Sequence, residues 1–432
     1  MIIGCGKQFL DWTAVYQLFM TNRMNIDKLF DVSCEVCLQN LTLDQMLVAH
    51  MDDTLIRKTG TKVFGTSWRR DPLGPAFHTN FVWGQRFIQI SLSMHETSFH
   101  CQSRAIPIDF YHAPSVQKLG KNATEEEITI FKESKKIHNL STQGLERVKS
   151  LRTRLDKQGA SQRELYLSVD GSYTNETILK GLPDKVTLIG RIRKDVRLHH
   201  RPETEKTKGR NKVYGEQCPT PEEIRQSEEI PWIEVKSFAA GTQHSFNVKI
   251  VKSLKWRAAG KGHTLQMVII RPLGYRLKKG GKILYRKPAY LICTDNELAI
   301  EKLLQAYIWR WEIEVNFREE KTINGCGQAQ VRNEISAAKT PAFVVAIHAF
   351  LHLSDIVLKQ QNQQIALPKA KWEKDSESKR ASTNNLLNLF KGYYWFNQAG
   401  KSFSHFVDKQ KKAVTNKKAE NTAFESAFYA RN

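Results

Sequence analysis

Two short apolar runs in this chain each end on acids, and that pairing limits the fold more than any other feature. Met46-Leu-Val-Ala-His-Met51 runs into Asp52-Asp53-Thr54, and Leu165-Tyr-Leu-Ser-Val169 runs into Asp170-Gly171. Runs of this length, stopped by turn-forming residues, are strand patterns. A carboxylate at a strand's C-terminal end stands at the rim of a sheet, where ligands bind in α/β folds. One such acid usually does no more than cap the next turn. Two of them, joined by a third acid on a helix, make a site for hard divalent cations.

The rest of the chain supplies the elements around these runs. Residues from Phe9 to about Leu47 are expected to be helical. Asn80–Leu92 and Ser98–Ile108 are expected as strands, and Thr124 to about Lys157 as one long charged helix opened by Thr-Glu-Glu-Glu. A short helix from Thr174 and a strand Val186–Ile192 follow Asp170. Residues 195–288 then change character: they are rich in Lys, Gly and Pro, with β-like runs at Trp232–Phe238, Phe246–Val251 and Leu265–Ile270. Tyr290–Thr294 returns to the main sheet, and helices are expected over Glu297–Lys321 and Ile335–Lys359. The fold class is therefore α/β, a mixed sheet with flanking helices interrupted by a β-rich insertion. The divisions are a helical region 1–45, a first core part 46–194, the insertion 195–288, a second core part 289–360 carrying the acidic helix, and a basic C-terminal region 361–432.

Charge narrows the partners. The 432 residues carry a formal net charge of +22, with Lys and Arg spread along the whole length. Such a balance draws polyanions, and DNA is the commonest polyanion served by a large folded basic protein. A membrane surface usually engages a concentrated basic tail or amphipathic anchor. No apolar run is expected to reach the length of a membrane span. Seven scattered cysteines argue against a disulfide framework and fit a reducing, cytoplasmic setting. The Cys34-x2-Cys37 pair lacks a second pair and reads as structural.

The third acid comes from the helix. Tyr307, Arg310, Glu314, Arg318 and Lys321 recur at intervals of three, four, four and three, so they share one helical stripe. Apolar residues border that stripe on both sides. Glu312, Asn316, Glu319 and Glu320 fall opposite and are expected to face solvent. A polar stripe between two apolar edges is the pattern of a cleft.

Here the residues resemble a family. Tyr307-x2-Arg310-x3-Glu314-x6-Lys321, within YIWRWEIEVNFREEK and followed by GCGQAQVRNE, resembles the Tyr-Arg-Glu-Lys signature of bacterial insertion-sequence DDE transposases of the family-four type. The likeness covers roughly Met46 to Lys359. It implies a ribonuclease H-like fold with a β-rich insertion between the second Asp and the Glu. It implies an Asp-Asp-Glu triad of Asp53, Asp170 and Glu314 binding two Mg²⁺ ions, with Mn²⁺ able to substitute. Asp53 is preferred for its place directly before Thr54, and Asp52 remains the alternative. Tyr307, Arg310, Lys321 and Arg318 would contact DNA. The partners implied are double-stranded DNA, as terminal inverted repeats and target, and a second copy of the chain in a homodimer on paired ends. The competing reading is a non-catalytic or truncated DNA-binding remnant, since only about fifty residues precede Asp53. Trp232 or Trp256 could stack on an extruded base. His50 and the His199-His200 pair read as packing and loop residues rather than metal ligands.

Overall fold

Side-chain alternation along the first strand divides the molecule into its layers. The computed structural model describes residues 13–361 and 380–393, apart from 22, 72–73, 76, 97–100, 117–118, 203–211, 261, 277 and 279. Two helices, α1 (Thr13–Met20) and α2 (Ile26–Gln39), precede β1 (Leu47–Arg57). The expected single helix is thus broken, because Asn25 caps α2 by accepting the N–H groups of Asp27 and Lys28. Cys34 and Cys37 are fully buried on α2 as free thiols. After β1 come β2 (Ser67–Arg70), β3 (Phe81–His95) and β4 (Ser103–His112), then α3 (Glu125–Ile137) and α4 (Leu140–Leu155). Thr124 and Glu127 form the capping box that opens α3. The long helix expected here stops at His138, and Asn139 caps a new one by accepting from the Ser141 N–H.

Beyond α4 the chain forms β5 (Leu165–Val169), α5 (Glu176–Gly181), β6 (Val186–Arg191), β7 (His199–His200) and α6 (Pro221–Gln226). Next are β8 (Ile233–Ala239), β9 (Thr242–Lys255), β10 (Leu265–Ile270), the small pair β11 (Gly274–Tyr275) and β12 (Leu284–Tyr285), and β13 (Ala289–Cys293). Then come α7 (Ile300–Trp309), α8 (Trp311–Thr322) and α9 (Glu334–Gln360), and residues 383–393 are helical as well.

The protein is mixed α/β. Among the described residues, eleven strands form one sheet in the order β2-β3-β1-β5-β6-β13-β10-β9-β7, with β4 also on β3 and β8 also on β9. β1 is antiparallel to β3 and parallel to β5, and β5 is parallel to β6. The 195–288 segment carries β7, α6 and β8 to β12. Its strands β9 and β10 are not set apart, however: they extend the main sheet through β13.

On one face, Leu47, Ala49 and Met51 pack with Leu145 and Val148 of α4 in the largest core. On the other face, Val48 packs with Leu303, Leu304 and Trp309 of α7, and Ile56 packs with Ala342 and Val345 of α9. α9 corrects one expectation. By length and composition it is apolar enough to cross a membrane, and half of its most apolar window is buried inside the protein.

The helix expected over Glu297–Lys321 is two helices that meet at Arg310. The Arg310 N–H bonds Tyr307 O at 3.2 Å and the Ile313 N–H bonds Arg310 O at 3.1 Å, both over three residues, which tightens the junction. The face of α8 assigned to solvent is also corrected. Asn316 and Glu320 are buried, and Glu312 and Glu319 are largely covered. Their cover comes partly from residues 380–393, whose Arg380 and Thr383 bind Glu312 and Glu319. A helical wheel contains no information about such a distant segment.

Burial pushes the Glu320 carboxyl up to about 8, against a lowering contribution from its hydrogen bond with Gln89. Because the folded value lies above the ordinary one, the folded state holds this proton more tightly. Stability is therefore full below the ordinary carboxylate range and is lost as pH rises through about 8. Glu320→Gln should flatten the fall of Tm between about pH 5 and pH 9, leaving the variant a few degrees more stable than the parent at the alkaline end. Thermal unfolding followed by circular dichroism across that range checks it.

Candidate functional site

β1 does not end at its acids. It runs through them to Arg57, because β3 stays paired from Arg57↔Gly84 back to Ala49↔Leu92. What ends there is the parallel partner. The β1–β5 ladder closes at Met51↔Val169, so Asp52 and Asp170 stand one step past the last parallel pair. The rim inferred from sequence is thus formed by the end of β5 against a continuing β1.

Alternation then separates the two neighbouring aspartates. Asp52 follows Val48 and His50 onto the α7–α8 face, and Asp53 follows Ala49 and Met51 onto the α4 face. Arg310 Nη1 donates to Asp52 Oδ2 at 3.0 Å, and its Nη2 donates to Glu314 Oε1 at 2.9 Å. One guanidinium thereby joins an acid of β1 to an acid of α8. Asp53 lies 3.1 Å from the Arg86 Nε and accepts from the Tyr173 hydroxyl at 3.2 Å. Gly144 on α4 permits that tyrosine: a Cβ there would stand 2.8 Å from its Cε1. Asp170 accepts the N–H of Ser172 at 2.9 Å, which fixes the turn after β5. The structure therefore brings Asp52 together with Glu314, the alternative that sequence left open, and sets Asp53 on the opposite side of β1.

The electrostatics follow. Burial, then the charge of Asp170, pushes Asp52 up to about 7, with Arg310 pulling the other way. Asp53 is raised by burial and by Asp170, against Arg86. Both aspartates thus feel the Asp170 carboxylate, with burial the larger cause in each.

The remaining residues of the stripe divide by exposure. Lys321 Nζ donates to Thr54 Oγ1 at 2.6 Å, and burial lowers its pKa. Tyr307 packs on the α7 core, with the Arg310 guanidinium 5.9 Å from its ring. Arg318 is open, its side chain 69% exposed. The two tryptophans of the 195–288 segment are engaged. Trp256 is buried, and Trp232 has Lys249 4.7 Å and Arg271 5.7 Å from its ring. His50 is buried, with its Nε2 2.7 Å from Ser93 Oγ, and His199 and His200 pair with β9.

Sequence reasoning missed a second cluster. Glu319, His348 and His352 bring one donor atom each within 4.8 Å of one another. The His348-x3-His352 spacing on one helix face was the available signal. Most of the cluster's donor atoms are hydrogen-bonded, whereas His348 Nε2 is buried without a partner among the described residues. Arg104 Nη1 donates to His352 Nδ1 at 2.7 Å, which places the ring proton on Nε2. That nitrogen donates to Thr383 Oγ1 at 3.0 Å, and the Thr383 hydroxyl donates to Glu319 Oε2 at 2.6 Å. Burial first, then Arg104, lowers both histidines, His348 to about 3, so both rings are neutral. The cluster is a hydrogen-bonded fastening between α8, α9 and residues 380–393.

No family model matches the chain, and no curated protein matches it.

The burial of Asp52 beside Asp170 gives a stability prediction. Asp52→Asn should raise Tm by a few degrees at about pH 8 without divalent metal, because it removes a charge the folded state holds at a cost. The gain should shrink as pH falls through about 7, where the wild-type carboxyl takes up its proton. Asp53→Asn, which loses charge beside Arg86, should gain less. Calorimetry on the three proteins decides it.

Proposed function

We propose that this chain is a metal-dependent DNA transposase, built on a ribonuclease H-like sheet, with Asp52, Asp170 and Glu314 as its metal-binding acids. The Arg310 bridge carries the reading: residues 258 apart in sequence meet so that Asp52 and Glu314 share one guanidinium. A sheet that is antiparallel on one side of β1 and parallel on the other, with acids at the join, supports the ribonuclease H-like part. The net charge of +22 supports a polyanionic substrate.

The donor set fits Mg²⁺ or Mn²⁺. Carboxylates are the hard oxygen donors those ions prefer, and Asp52, raised to about 7 by burial first and by Asp170 second, is a carboxylate whose charged form a bound divalent cation would favour. When bound, such ions polarise a scissile phosphate and activate the attacking oxygen. The chain's own residues supply the rest. Arg310 holds Asp52 and Glu314 in register. Lys321 and Tyr307 border the acids, and the exposed Arg318 offers a planar fork to a DNA phosphate. Water, and then the freed 3′-hydroxyl, would serve as successive nucleophiles. The DNA substrates are terminal inverted repeats and a target duplex, and two copies of the chain would hold paired ends.

Cleavage of a duplex carrying the flanking inverted repeats, with Mg²⁺, tests this. Glu314→Gln and Asp52→Asn should each cut at least about a thousandfold more slowly, the loss of several kcal/mol of charge stabilisation. Asp53→Asn should retain measurable cutting. Undiminished cleavage by Glu314→Gln would sink the site, and activity lost in Asp53→Asn but kept in Asp52→Asn would return the ligand role to Asp53. Joining of the cut end to a second DNA separates a transposase from a nuclease.

A further inference from the structure

Along the sheet from the acids lies a surface that the proposed reaction does not use. β2 and the start of β3 form a ladder in which Trp68 stands opposite Trp83 and Arg70 opposite Phe81. The two indoles meet edge to face, centroids 5.6 Å apart. Trp68 is nevertheless 67% exposed and Phe81 60% exposed. Arg70 is exposed and forms no ion pair among the described residues.

Register places these side chains on the face that carries Asp52. The β1–β3 pairing runs unbroken from Asp52↔Gln89 to Arg57↔Gly84, and the Lys58 N–H then bonds Trp83 O at 2.9 Å. Asp52, Thr54, Ile56, Lys58 and Trp83 therefore share one side. Thr54 holds Lys321, and Lys58 Nζ holds Gly327 O at 2.5 Å just past α8, so cations line the way. At about 3.3 Å per residue, the ladder begins about 20 Å from Asp52. Residues 57–71 contain five cations, Arg57, Lys58, Lys62, Arg69 and Arg70, and one acid, Asp71, which Arg57 binds at 2.8 Å.

We infer that the Trp68–Phe81 ladder is a stacking platform for unpaired DNA bases next to the cut site. The inference rests on the transposase reading, whose cut ends provide unpaired nucleotides. Every base offers a π-face to an aromatic ring, and Arg70 supplies charge for the phosphates between bases. Duplex DNA hides its base faces and cannot use the rings. A second copy of the chain would bring a net charge of +22 against a patch that is itself cationic.

Affinities of the full chain for a labelled single-stranded oligonucleotide and for the duplex of the same sequence, each at two salt concentrations, test the platform. Trp68→Ala should weaken single-strand binding about tenfold, the worth of stacking on one base, and change duplex binding less than about twofold. Trp68→Phe should restore most of the loss. Arg70→Ala should lower the salt slope by about one, whereas Trp68→Ala should leave the slope unchanged. Equal losses on both DNAs, or none on either, would overturn the platform while metal-dependent cleavage by the wild type left the transposase reading standing. A wild type that binds neither DNA would overturn both. Self-association of the wild type that Trp68→Ala abolishes, seen by sedimentation, would assign the patch to a second copy instead.

Discussion

Carboxylates crowded out of water repel one another, and this fold must keep that repulsion from driving β1 and α8 apart. Arg310 does so from within, by reaching both Asp52 and Glu314. Arg86 does the same for Asp53 from the next strand. Lys321 adds a third tie, from α8 to Thr54. Each cation is placed by an element that also has its own core contacts, so the site is held by the fold rather than holding it. The cost is visible in Asp52, whose proton is retained near neutral pH.

The far side of α8 explains how a helix with so many charged residues can sit so firmly. Four polar anchors surround it: Glu312 to Arg380, Asn316 to Ala105 O, Glu319 to Thr383, and Glu320 in a buried pocket beside Gln89. Apolar packing tolerates small rotations, because dispersion contacts have little direction. Hydrogen bonds inside a low-dielectric interior do not, because a misaligned partner leaves a buried polar atom unsatisfied. The helix is therefore fixed in rotation as well as in place, which is what aiming one carboxylate requires.

Much of this was legible in the sequence. Alternating apolar runs located β1, β3, β5, β6 and β13, and the Thr-Glu-Glu-Glu start located α3. The Arg310–Glu314 contact was legible from spacing alone, since residues four apart on a helix are neighbours. Three things were not legible. Strand β1 continues past its acids because β3 pairs beyond them, a tertiary fact. The choice between Asp52 and Asp53 depends on which face α8 covers, and alternation distinguishes the faces without naming them. The buried state of Glu320 depends on the strands and segments packed over α8, and charge in a local sequence ordinarily signals solvent.

Because β9 and β10 are hydrogen-bonded into the same sheet as β1, the β-rich segment cannot swing like a hinged arm. Five strand steps separate β1 from β9 in the sheet order. At about 4.8 Å each, they make a ruler of about 24 Å. Lengthening the loops of that segment would leave the interval untouched. Only the gain or loss of a strand would reset it, so the spacing between any contact made on β9 and the acids is written into the strand count.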